Sequence, residues 1–191
     1  MFNSLQTQII IGSLLGDASL IATGSGKRYR YSISHCNKQK AYLFWKYTIL
    51  KQYVRTPPRL QKQTNAWKFN TISLDEFTEW RNSFYNGKQK VIPSFVKNYL
   101  TEPLTLAVWY MDDGNLRRQN GKIYGCMLNT QSYTYADNQK LQEWFHDLWN
   151  INSYLQKNHN KYRLYFGSGA WKELCAIVTP HIHSSMRYKL P

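Results

Sequence analysis

Apolar residues gather into two matched runs and alternate with polar ones over much of the chain between them. The runs are Ile10-Ile11-Gly12-Ser13-Leu14-Leu15-Gly16-Asp17-Ala18 and Leu106-Ala107-Val108-Trp109-Tyr110-Met111-Asp112-Asp113-Gly114. Both are helical by residue type, and both stop at a carboxylate beside a small residue. Asp17 and Asp113 hold the same place in each, about half the chain apart. After the first run, residues 19–34 alternate and are broken at Thr23-Gly24-Ser25-Gly26, a hairpin loop by composition. Period two puts Arg28, Arg30, Ser32 and Ser34 on one face of the strand and Tyr29, Tyr31 and Ile33 on the other. A core-packed strand offering donors to an anion and a solvated edge strand both read this way. A helix follows, with Tyr42, Leu43, Trp45 and Ile49 among its apolar positions, closed by Thr56-Pro57-Pro58. Strands are expected at residues 59–63 and 66–72, with Lys62, Lys68 and Asn70 on the polar side. Residues 75–85 read as a helix capped by Ser73 or Asp75.

The second half repeats that order. The helix at residues 102–112 leads into strands at 114–118 and 122–131 around an Asn120-Gly121 turn signal. Residues 134–149 carry Leu141, Trp144, Phe145 and Leu148 at i, i+3, i+4 and i+7, a core stripe. Residues 161–166 alternate, with Lys161, Arg163 and Tyr165 opposite Tyr162, Leu164 and Phe166, and a last helix spans 170–178. The repeat lies in element order and in the two aspartates, not in residue identity. The expected fold class is α+β.

Charge narrows the choice of partner. The chain has 191 residues, 25 basic and 11 acidic side chains, and a formal net charge of +14, which favours a polyanion. Nucleic acid is preferred over a membrane, because no segment approaches the ~20 apolar residues of a spanning helix. The apolar run at 9–15 has no basic stretch before it and meets Asp17 after it, so it does not read as a signal sequence. Cys36, Cys126 and Cys175 are odd in number and scattered, against a disulfide framework or structural zinc. His181 and His183 at i, i+2 suit either a metal on a strand or an ordinary surface pair. The chain reads as reduced and intracellular. Its abundant Asn, Lys, Ile and Tyr hint at an AT-rich coding genome such as an organelle's.

The two aspartates are badly placed for stability alone. An anion at a helix C-terminus costs roughly 0.3–1 kcal/mol. Two such charges about 4 Å apart repel by ~4 kcal/mol at an effective dielectric near 20. A divalent cation between them turns both penalties into binding energy, since hard cations take carboxylate oxygens. Each run taken singly also reads as a buried helix that ends at a turn.

The paired runs resemble the signature of the LAGLIDADG homing endonucleases, in the single-chain, two-motif, intron-encoded form. The resemblance implies two pseudo-symmetric αββαββα repeats, residues 1–86 and 102–191, joined by 87–101. Their two antiparallel sheets form a saddle, with the signature helices packed at the central interface of a monomer. It implies that Asp17 and Asp113, with the main-chain carbonyls of Gly16 and Asp112, bind Mg²⁺, with Mn²⁺ as substitute. It further implies that Lys90, Lys189 and Gln131 serve as catalytic groups; by residue type alone Lys189 would be a basic terminus. The strand faces would contact double-stranded DNA through Arg28, Arg30, Ser32, Ser34, Lys62, Lys68, Asn70, Arg117, Lys122, Tyr124, Lys161 and Arg163. One cut per strand would leave 3′ overhangs. The rival reading on the same scaffold is a maturase that binds intron RNA, and a third is a DNA-binding repressor without catalysis. One departure from the motif matters. Its first glycine is kept as Gly12 but replaced by Val108 in the second copy, so the helix interface should be asymmetric, with the first helix supplying the close approach. An organelle-encoded protein, mitochondrial or chloroplast, is expected, with the bacterial cytoplasm as the other setting.

Overall fold

The computed structural model describes residues 1–24, 26–167 and 169–191. Ser25 of the expected hairpin loop therefore lies outside the described residues. The first half runs α1 (Ser4–Leu15), β1 (Ser19–Thr23), β2 (Arg28–Cys36), α2 (Lys40–Leu50), β3 (Arg59–Gln61), β4 (Ala66–Asn70) and α3 (Asp75–Phe84). A small hairpin, β5 (Tyr85–Asn86) and β6 (Gln89–Lys90), and the single-turn α4 (Val96–Tyr99) lead to the second half. There the order is α5 (Pro103–Asp113), β7 (Gly114–Gln119), β8 (Lys122–Leu128), α6 (Tyr135–Trp149), β9 (Tyr154–Asn158), β10 (Lys161–Phe166) and α7 (Ala170–Val178). A 3₁₀ segment, Ser184–Lys189, closes the chain.

The two sheets share one topology. Their strand orders are β1-β2-β4-β3 and β7-β8-β10-β9, and every pairing is antiparallel. The hairpin at Asn120-Gly121 forms as expected: both residues take positive φ, 48° and 74°, the backbone a two-residue turn demands. One local expectation fails. Leu74, not Ser73 or Asp75, is the N-cap of α3, and no side chain caps it. Asp75 and Glu76 instead place negative charge against the first turn, where the helix dipole favours it. On β8, strict alternation would carry Lys122 and Tyr124 to the same face as the buried Cys126 and Leu128. Arg117 pairs with Gly125 but Arg118 with Ile123, so Tyr124 is an extra, bulged residue and Lys122 is switched to the opposite face.

α1 and α5 form the middle of the molecule. Ile9 to Leu15 and Thr105 to Asp112 are buried without interruption, so each helix is enclosed on all sides rather than amphipathic. The closeness of the two is set by glycine. A Cβ at Gly12 would lie 2.5 Å from the Thr105 carbonyl oxygen and 2.8 Å from Val108 Cβ. A Cβ at Gly16 would lie 2.5 Å from Asp112 Cβ. The interface is asymmetric as expected: α1 contributes the gaps and α5 fills them. Gly12→Ala should destabilise the protein by about 1–3 kcal/mol, because the new methyl meets a main-chain oxygen that cannot step aside. A lowered melting temperature of the metal-free protein in a thermal melt checks this.

Candidate active site and nucleic-acid face

The C-termini of α1 and α5 open at one end of the seam, and three acids meet there. Asp112 is the inner one, with a side chain that is 0% exposed. Lys46 Nζ, on α2, donates to both of its oxygens at 2.7 and 3.0 Å, and the Tyr42 hydroxyl donates to Oδ1 at 2.9 Å. Burial lowers the Lys46 pKa, opposed by the Asp112 charge beside it. His35 comes from the core face of β2, with Nε2 3.3 Å from Lys46 Nζ and Nδ1 3.3 Å from Asp17 Oδ2.

Asp17 and Asp113 are the outer acids. Burial pushes the Asp17 carboxyl up, but His35 outweighs it with help from Lys46 and Lys189, and the net shift is down. Asp113 goes the other way. Burial, then the charge of Asp17, then that of Asp112, push it up to about 7. Among the described residues no side chain donates to the Asp113 carboxylate; the Asn129 amide and Nδ2 hold only its main-chain carbonyl, at 3.1 and 2.8 Å.

Each outer acid is flanked by a lysine on a carbonyl. Lys90 Nζ, on β6, donates to the Gly16 and Ala18 carbonyls at 3.1 and 3.0 Å. Burial lowers it to about 8, against the pull of Asp113, Asp112 and Asp17. Lys189 Nζ donates to the Asp112 carbonyl at 2.9 Å, and burial lowers its pKa too. The Tyr110 hydroxyl fixes the Lys189 carbonyl at 3.0 Å, so this terminus is docked. Cations thus sit on the carbonyl-rich ends of both helices, where the dipoles are negative. Gln131 lies beside this cluster, with Nε2 3.4 Å from Asn129 Oδ1.

The donor set suits a hard divalent cation. Two carboxylates share this end with two main-chain carbonyls that each hold a lysine and keep one lone pair, and the raised Asp113 marks a place where positive charge is wanted. One ligand atom each from Asp17, His35 and Asp112 also falls within 4.8 Å of the others. The Asp112 oxygens are already taken by Lys46 and Tyr42, so that triplet is a braced ion pair, not a cation cage.

The expected nucleic-acid contacts divide by sheet. Arg28, Arg30, Lys68 and Asn70 line one trough of about 650 Å³ on the first sheet, together with Arg55, Arg59 and Gln61. Arg28 also pairs with the exposed Asp75 at 2.9 Å. Ser32 is buried, Ser34 half-buried, and Lys62 lies exposed outside the trough lining. On the second sheet Arg117, Lys122, Tyr124 and Lys161 are exposed, while Arg163 is held by Gln156 at 2.9 Å. Reading the sequence missed His35, Lys46, Arg55 and Arg59. Lys46 did leave a signal, one lysine at i+4 from Tyr42 and i−4 from Leu50 on a buried stripe.

Two outcomes follow from these charges. Asp113 has a folded-state pKa near 7 against an ordinary 3.8, so folding favours its protonated form. That contribution is full below the unfolded value and lost as pH rises through the folded one. Chelator-treated protein should melt progressively lower between about pH 4 and 7, and Asp113→Asn should flatten that slope in thermal melts. Lys46→Met strands the Asp112 charge in the core and should cost about 3–5 kcal/mol, measured by denaturant unfolding.

Comparison with known proteins agrees with this geometry. The chain matches the LAGLIDADG DNA endonuclease family over residues 7–174. DNA endonuclease I-ChuI of Chlamydomonas applanata is 31% identical over 209 residues, covering 97% of this chain and 94% of that protein. The cytochrome b mRNA maturase bI2 of Saccharomyces cerevisiae is 38% identical, covering 95% of this chain and 46% of that protein, so the chain spans about half its length. The solved structure of the homing endonuclease I-WcaI bound to its DNA recognition sequence superposes with a TM-score of 0.86 at 25% identity, covering 99% of this chain and 87% of that one. A match over most of its length, carried on two helices that end in acids at one seam, makes this chain a member of the LAGLIDADG DNA endonuclease family.

Proposed function

We propose that the protein is a site-specific homing endonuclease that hydrolyses one bond in each strand of a long DNA duplex, promoting mobility of its intron. The observation that carries this reading is the pair of outer acids at one seam, each beside a lysine-held carbonyl. Repeats 1–86 and 102–191, joined through 87–101, act as a monomer with an internal pseudo-twofold. Asp17 and Asp113, with the Gly16 and Asp112 carbonyls, would hold Mg²⁺, or Mn²⁺ in its place. Bound there, the cation supplies Lewis-acid polarisation of the phosphodiester and a more acidic water.

The protein's own groups do the rest. The Lys90 and Lys189 ammoniums stand where phosphate charge grows in the transition state, and both are desolvated, which strengthens their field. Gln131 offers an amide to orient the attacking water. The troughed first sheet and the exposed cations of the second lie against the duplex. Their lysines and arginines supply salt-sensitive phosphate affinity, and the strand faces read base edges in the major groove. Asp17 serves one strand and Asp113 the other, across the minor groove, leaving 3′ overhangs. The protein is organelle-encoded in this reading.

A maturase that binds intron RNA is the second reading, favoured by the 38% identity to the yeast maturase. One experiment separates them. Purified protein with Mg²⁺ is given the intronless allele of its host gene, and cutting and binding are measured apart. Asp17→Asn and Asp113→Asn should each slow cutting by at least about 100-fold while DNA affinity changes little. A wild-type protein that never cuts, yet restores splicing of the intron, supports the maturase instead.

A further inference from the structure

The inner end of the seam holds a chain of groups that reaches only one of the two outer acids. It runs from Asp112 to Lys46 at 2.7 Å, from Lys46 to His35 Nε2 at 3.3 Å, and from His35 Nδ1 to Asp17 Oδ2 at 3.3 Å. The side chains of Asp112 and Lys46 are wholly buried and that of His35 is 1% exposed. An ammonium has donors and no acceptor, so the ring nitrogen facing Lys46 accepts, which leaves Nδ1 to carry the proton on the Asp17 side, within ion-pair range but not in an aligned hydrogen bond.

Among the described residues the second half has no such chain. His35 and Lys46 are eleven residues apart. Counting on from the signature aspartates, their places are taken by Gln131 and Gln142, and that of Asp112 by Gly16. Gln142 Nε2 is spent on the Ser153 carbonyl. Gln131 Nε2 donates to Asn129 Oδ1 at 3.4 Å, not to Asp113. Among the described residues Asp113 is therefore held through its backbone alone.

We propose that His35 is a positioning residue, locked by the buried Asp112–Lys46 pair, that fixes the Asp17 carboxylate and so braces one cutting centre and not the other. This rests on the nuclease reading above. A general rule supports the size of the effect: groups that orient a metal-binding carboxylate are worth about 10–100-fold in affinity or rate.

Two polar substitutions test it. His35→Asn keeps a donor at the Nδ1 position, and His35→Gln keeps only a group at the Nε2 position, facing Lys46. The target is the duplex recovered as the wild-type cut site from a randomised library, labelled on each strand in turn. Mn²⁺ binding to the DNA-free full chain is followed separately by electron paramagnetic resonance. His35→Gln should slow cutting of one strand by about 10-fold or more and the other by less than about threefold, so that nicked duplex accumulates. Its Mn²⁺ affinity should fall by about 10-fold, and His35→Asn should recover most of both losses. Equal slowing of the two strands, or identical behaviour of the two variants, overturns the proposal, since a merely structural histidine would act that way. A wild-type chain that cuts nothing sinks the nuclease reading. The Mn²⁺ measurement then decides the brace, and an unchanged affinity in His35→Gln ends it.

Discussion

The backbones of α1 and α5 can lie against each other only because two positions on α1 carry no side chain. Gly12 takes Val108 and the Thr105 carbonyl, and Gly16 takes Asp112 Cβ. Much else follows from that approach. Two helix C-termini arrive at one point, so their unpaired carbonyls and negative dipole ends add rather than cancel. The surrounding structure answers with donors. Tyr133 takes the Leu15 carbonyl at 2.8 Å, Lys90 those of Gly16 and Ala18, and Lys189 that of Asp112. The β5–β6 hairpin and the terminal 3₁₀ segment can be understood as the arms that deliver the two lysines.

Three carboxylates at one seam would be untenable if all stayed free. Lys46 removes one of them from the account by pairing with Asp112. A buried ion pair is weak support for stability, because desolvating both ions costs much of what their attraction returns. Its worth here lies in position: a lysine fixed in the core is a fixed donor for His35, and His35 is a fixed neighbour of Asp17. The two remaining acids then differ. Asp17 is drawn down by its neighbours, while Asp113, desolvated and facing two negative charges, is driven up to about 7. A cation between them would answer the one that, among the described residues, has no side-chain donor.

Much of the scaffold was legible because it is written as period and punctuation. The apolar runs, the alternation of residues 28–34 and 161–166, the Asn120-Gly121 turn and the stripe from Leu141 to Phe145 each found their element. What escaped depends on single residues that obey the pattern and break the chemistry. His35 follows Tyr31 and Ile33 onto the core face of β2, where alternation alone reads it as one more inward side chain. Lys46 hides the same way on α2, paid for by an acid from the other half of the chain that no local window contains. The bulge at Tyr124 is equally silent, since the sequence around it alternates well enough for a regular strand. Arg55 and Arg59 escaped because the Pro57-Pro58 segment read as an ending rather than as one wall of the trough.

The glycine and the aspartate that face each other across the seam occupy the same place in the two repeats. In a dimer of identical chains a twofold interface would set like against like. Glycine opposite glycine would leave the seam underfilled. Aspartate opposite aspartate would drive two buried charges and two Cβ atoms into a space that accepts one, since a Cβ at Gly16 would lie 2.5 Å from Asp112 Cβ. Fusing the halves into one chain removes that constraint, and each copy can take the half of a complementary pair. Once Asp112 is accepted on one side only, its countercharge must also be one-sided, and Lys46 and His35 have no equivalents opposite. The asymmetry of the brace is thus a consequence of the same close approach that brings the two outer acids together.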